Sequence, residues 1–224
     1  MASTVSALTI INNASRMLGD IDAVNWTVSE LLAWLNLSQV EMVNLSPRTN
    51  VKNVPVKLAS GVKQSLPADG ILLFDIPYNY KANGTFVSTT INHVPLLVLN
   101  KRLPNWTTVT SNQTVKHFSY NPSDPKVFYI YPAQPTLTAY VEMAYAATPA
   151  VIPNATAGTT ITVDDQYQNV LLNLMLSKAL AKDGEYGNND IKAREYRLLA
   201  EQELGLGSAA QTTTDQAQKP QPKK

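Results

Sequence analysis

The sequence predicts an α+β fold: a helical bundle formed by N- and C-terminal helix pairs, a small inserted antiparallel β-domain (sandwich or partial barrel), and a disordered C-terminal arm. Three observations carry the prediction. Apolar residues recur at helical spacing before residue 50 and after residue 164. Between these regions, short β-branched and aromatic runs alternate with Pro, Gly, Asn and Asp. After Gly207 no apolar residue larger than alanine occurs. The expected organisation is a bundle over 1–50 and 164–207, a β-rich insertion over 51–163, and a flexible arm over 208–224. Neither helix pair alone offers a core of reasonable size, so the two pairs are expected to share one.

The first helix is expected over Thr4–Leu18. Ala7, Ile10, Ile11, Ala14, Met17 and Leu18 recur at helical spacing, and Gly19 suits the residue after a helix end. The second begins at "TVSE", where Thr27 and Glu30 have the spacing of a capping box. Val28, Leu31, Leu32, Leu35 and Met42 make its apolar face, and Pro47 ends it. Trp26, just before the capping box, can staple the start of this helix, and Trp34 lies on it.

Most of the fourteen prolines fall in the middle region. The runs "ILLFDIP", "VPLLVL", "VFYIYP" and "TAYVEMAYAA" are expected as strands. In the last of these, Tyr140, Glu142 and Ala144 face one way, and Val141, Met143 and Tyr145 the other. In "YNPSDPKVFYIYPAQP", Pro122, Asp124 and Pro125 favour a reversal, while Pro132 and Pro135 confine the strand to about five residues. Alternation places Phe128 and Ile130 on the core side, with Tyr129 and Tyr131 facing either solvent or a neighbouring subunit.

Helical periodicity returns at "TVDDQYQNVLLNLMLSKALAKDGE", with Asp164 or Asp165 as N-cap. Leu171, Leu172, Leu174, Met175, Leu176, Ala179 and Leu180 cover more than one face, so this helix is expected to be the most buried. Gly184 and Gly187 bracket a tight turn into a last helix over Asn188–Leu204. There Ile191, Leu198 and Leu199 are expected beneath a charged face of Lys192, Arg194, Glu195, Arg197 and Glu201. The arm ends in Lys219, Lys223 and Lys224, and its composition cannot offset the entropy of ordering.

Composition limits the function classes. Charged residues are 16% of the chain and the net charge is +1, so no field recruits nucleic acid or anionic lipid. Asn, Ser, Thr and Gln take the place of charge, as suits a protein packed against others. The absence of cysteine excludes disulfides, thiolate chemistry and cysteine-ligated zinc. The start has neither a basic n-region nor a continuous apolar core, and no apolar run reaches the roughly 20 residues of a membrane span. A soluble protein made in a cytoplasm is expected. Eight Asn-x-Ser/Thr triplets, two of them within the expected second helix, read as chance in an Asn/Thr-rich chain.

No catalytic constellation emerges, and no cofactor or metal is expected. His93 and His117 have Val, Pro, Lys and Phe for close neighbours and read as structural or surface histidines. Nucleophile elbows, phosphate loops and dinucleotide-binding turns are absent. Trp106, after "RLPN", reads as a packing residue in preference to a base- or sugar-stacking platform.

The ordered set "WTVSELLAWLNLSQVEMV", "LASGVKQSLPADGILLFDI", "LPNW", "VKHFSYNPSDPKVFYIYPAQP", "YAATP" and "DDQYQNVLLNLMLSKALAKDGEYGNNDIKAREY" resembles phage head-to-tail adaptor (connector) proteins. The resemblance covers roughly residues 20–205 and departs around Tyr80–Asn92 and in the tail. It implies a virion protein without a catalytic site, a helical bundle bearing a β-domain, and a ring usually of twelve subunits below the portal. Implied partners are further copies of itself, the portal protein, tail nozzle or tail fibre proteins, and DNA in transient passage, with no membrane. Arms in similar adaptors run into or along the portal. The partner-binding candidates are therefore Lys219, Lys223 and Lys224 of the arm, with Tyr129 and Tyr131 of the β-domain. Two rival readings are another tail-completion or nozzle component, and a carbohydrate- or receptor-binding β-module suggested by the Tyr and Trp content.

Overall fold

The structure, a computed structural model, describes residues 3–80, 86–136, 139–183 and 187–206. It is α+β and divides into two compact units, Met1–Thr49 with Pro149–Lys224, and Asn50–Thr148.

The first unit holds helices α1 (Ala7–Leu18), α2 (Val28–Leu45), α4 (Gln168–Lys182) and α5 (Asn189–Glu203). Helix α1 starts three residues later than expected, because Ser6 takes the cap and its hydroxyl accepts from the Leu8 amide at 3.2 Å. Gly19 ends it at φ +72°, a left-handed conformation that glycine adopts without a Cβ penalty. The capping box of α2 forms: Glu30 N donates to Thr27 Oγ1 at 3.3 Å, and Thr27 N donates to Glu30 Oε2 at 3.1 Å. Helix α4 is the packing centre, touching α1, α2 and α5. Its Val170, Leu171, Leu174, Met175, Leu176 and Ala179 join one apolar cluster with residues of α1 and α2, with Ala200 of α5, and with Ile152, Ile161 and Val163. Trp26 packs there too, its Nε1 donating to the Ala179 carbonyl at 2.9 Å.

Helix α5 departs from the expectation. Ile191, Leu198 and Leu199 are about half exposed, while Ala193 and Ala200 are buried and Tyr196 and Leu204 are partly so. The buried stripe 193–196–200–204 has helical spacing, but small residues hold two of its four places. Alanine lets the α5 backbone approach α4 closely, and the larger aliphatics are left facing water.

The second unit is two small sheets around a shared core. One joins β1 (Val51–Lys57), β3 (Gly70–Asp75), β4 (Tyr78–Tyr80), β5 (Phe86–Thr90) and β9 (Tyr140–Ala147), with β9 pairing to β1, β3 and β4. The other is ordered β2 (Gly61–Ser65), β8 (Val127–Gln134), β7 (His117–Tyr120), β6 (Asn92–His93). All strand pairs are antiparallel except β6 with β7, which run parallel. Phe118, Phe128 and Ile130 of one sheet pack in one cluster with Leu73, Val141 and Met143 of the other.

Two strand expectations change. The run "VPLLVL" forms a helix, α3 (Leu96–Arg102), not a strand. The Pro95 carbonyl accepts from the Val98 and Leu99 amides, a place where proline's missing N–H is not needed. Strand β8 also runs through Pro132 to Gln134. Between the pairs Gly61↔Gln134 and Lys63↔Tyr129 β8 advances five residues while β2 advances two, so β8 itself bulges across Pro132, and the β7 register reaches no further than Tyr131. No regular ladder position therefore asks Pro132 for a donor.

Candidate assembly surfaces

The histidines occupy packing positions. The His93 ring lies 5.1 Å from those of Phe118 and Tyr120, and His117 stacks on Tyr131 at 5.9 Å. Burial, then the charge of Lys116, holds His117 below its ordinary value, which favours the neutral ring at pH 7. Among the described residues no three His, Asp or Glu side chains gather as metal ligands would, and no helix is long and apolar enough to cross a membrane.

Tyr129 and Tyr131 do lie on the side of β8 opposite Phe128 and Ile130, but both are half covered. Trp106 meets Tyr129 edge-on at 6.2 Å and is itself buried, its Nε1 donating to Asn100 Oδ1 at 2.8 Å. The tyrosines thus carry side chains of their own unit, leaving only part of each for a partner. Lys219, Lys223 and Lys224 lie outside the described residues.

The helical unit carries polar features that pattern reading missed. The Asp165 carboxylate accepts from Ser3 Oγ, Thr4 N, Thr4 Oγ1 and Val5 N, and so fixes the N-terminal segment ahead of α1. The hydroxyls of Ser3 and Thr4 lead in lowering its pKa to about 2. Asp164, one residue earlier, takes the capping role, accepting from the Gln166 amide at the head of a short 3-10 turn. Glu41 of α2 binds both Lys178 of α4 and Arg197 of α5, and Arg197 also pairs with Glu201. Burial pushes the Glu41 carboxyl up, but the two cations outweigh it and leave the pKa below its ordinary value.

Two further features are local and rigid. Between α1 and α2, the Asp20 carboxylate accepts from the amides of Val24, Asn25 and Trp26 at 2.8–2.9 Å. The Trp26 amide leads in holding its pKa low. This ties down a tight loop in which Ala23 sits at φ +51°. On the outside of the loop, Ile21 and Val24 are 75% and 76% exposed. Elsewhere on the same unit, Ala33, Asn36, Leu37 and Val40 of α2 form a groove of about 390 Å³ with Pro149, Ala150 and Val151. None of these groove residues is charged. The 149–152 strap is held against α2 because Asn36 accepts from the Ile152 amide at 2.8 Å and donates to its carbonyl at 3.0 Å. Thr162 Oγ1 adds a bond to the Ala150 carbonyl.

No curated protein matches the chain. A family model described as SU10 adaptor protein matches residues 5–222, which takes in both units. With almost the whole chain matched, the protein belongs to the SU10 adaptor protein family, a family of phage adaptors.

Proposed function

We propose that this adaptor forms a closed ring of twelve copies below the portal, joins the capsid vertex to the tail nozzle, and passes DNA through its channel in the virion. Membership of an adaptor family is the observation that carries this reading. Its role is structural, with no substrate or cofactor. In this reading the helices of 1–50 and 164–207 form the ring's frame, residues 51–163 are its inserted β-rich domain, and the arm from 208 reaches the portal.

The physical chemistry is favourable. Ring neighbours meet through two different surfaces, and the rotation between copies must close. With charged residues at 16% and a net charge of +1, neighbouring copies approach with little mutual repulsion. Light scattering of the purified chain, alone and with the portal protein of the same phage, tests the proposal. A ring that appears only with portal is the expected result. A stable small dimer in both conditions would sink it.

A further inference from the structure

Ile21, Val24 and Val151 are the three most exposed large apolar side chains among the described residues. Two of them stand on the Asp20 loop, and the third rims the groove along α2. We propose that the Ile21–Val24 loop of one copy inserts into the Ala33–Val151 groove of the next, as a repeated head-to-tail contact. The proposal rests on the ring reading and names the surfaces by which neighbouring copies would meet.

Both surfaces are set before they meet. Three amide-to-carboxylate bonds and a left-handed non-glycine residue fix the loop, a backbone state that persists only when its surroundings impose it. The groove is fixed by Asn36 and Thr162 through the strap. Little ordering entropy therefore opposes association. The groove lining is uncharged, which suits aliphatic side chains.

A chain cannot fill its own groove with its own loop. Val28 and Leu37 are nine residues apart on one helix, roughly 14 Å at ~1.5 Å per residue, and the loop lies beyond Val28. Loop and groove are different surfaces, so the contact is heterologous and leaves one free loop and one free groove in any pair. Its size fits a second copy held in a repeat rather than a free dimer. Two aliphatic side chains in a groove of about 390 Å³ bury far less than the ~800 Å² per partner of a standard stable interface. Isolated pairs should dissociate, and the contact should persist only where each copy makes it twice.

The chain has no cysteine, so no native thiol competes with introduced ones. Full-length Val24→Cys and Val151→Cys are prepared, one of them carrying a tag, and oxidised at high concentration, separately and mixed. The expected result is a tagged–untagged dimer forming at least tenfold faster in the mixture than either variant dimerises alone. Equal rates in all three samples, or no linked product, would overturn the contact. Val24→Asp, at an exposed position, is expected to keep its unfolding midpoint and lose portal-dependent rings. Rings on portal from Val24→Asp as from the unmutated chain would overturn the contact while leaving the ring reading intact. A mixed cross-link from a chain that never forms rings would do the reverse.

Discussion

Asp165 holds the segment before α1 by four donors, and the consequence is a pH dependence with a definite sign. Its folded pKa, about 2, lies below the ordinary 3.8. The folded state therefore gains from the ionised carboxylate above pH 3.8, and the gain is lost as pH falls to about 2. Asp165→Asn is expected to be less stable than the unmutated chain at pH 7, the gap closing between these two values. Thermal unfolding of both proteins from pH 7 to pH 2 checks it, because Asp20, Glu41 and Asp69, also lowered, are common to both and cancel in the difference. A gap that stays constant with pH would refute the linkage. The sequence marked the Asp164–Asp165 pair as a cap, and Asp164 is one. Nothing in the local pattern showed Asp165 reaching back across more than 150 residues. The side-chain amides that pair with backbone were hidden for the same reason. Asn79 pairs with both backbone groups of Val115, Gln64 with both of Ala59, and Asn36 with both of Ile152. Part of the Asn and Gln content read as interface material thus replaces missing backbone partners inside each unit.

At the scale of elements, α4 and α5 separate what periodicity can and cannot find. Helix α4 is apolar on more than one face, and any packing of that pattern buries it, so its central place was legible. Helix α5 was misread because large aliphatics outweighed alanines in the pattern, whereas the observed contact needs small residues. The two helices give opposite expectations for the same substitution. Leu174→Ala removes a fully buried side chain and should cost about 2–5 kcal/mol. Leu198→Ala removes one that is 55% exposed and should stay within about 0.5 kcal/mol. Urea unfolding of the two variants decides between the packing described and the amphipathic face expected. Comparable losses would return Leu198 to the core. Strand β8 was legible in its alternation and not in its length, since β8 bulges across Pro132 and so carries the proline where no regular pairing with β2 needs an N–H, which the spacing of the prolines does not show. The half-covered state of Tyr129 and Tyr131 depends likewise on Trp106 and His117, which no spacing within β8 announces.

For the whole molecule, the proposed function raises the question of how a chain of net charge +1, whose copies would meet through small contacts, finds the one place where a ring would form. The stretch from Ser208 to Lys224 has the right composition for that task. It lacks any apolar side chain larger than alanine, so it contributes no core, and it closes with Lys219, Lys223 and Lys224. In the proposed function it docks on the portal and gathers copies there, raising their local concentration until the weak contacts between neighbours hold. Truncation after Gly207 should therefore leave far-UV circular dichroism and the unfolding midpoint unchanged while abolishing portal binding. Replacing the three lysines with glutamine in the full-length chain separates charge from length. If charge steers the arm, this variant binds more weakly and with a shallower salt dependence than the unmutated chain. Unchanged portal binding by the truncated chain would place recruitment on one of the folded units instead. The half-covered tyrosine face of β8 would then be the next surface to mutate, since it stays outside the α2 groove and the Asp20 loop.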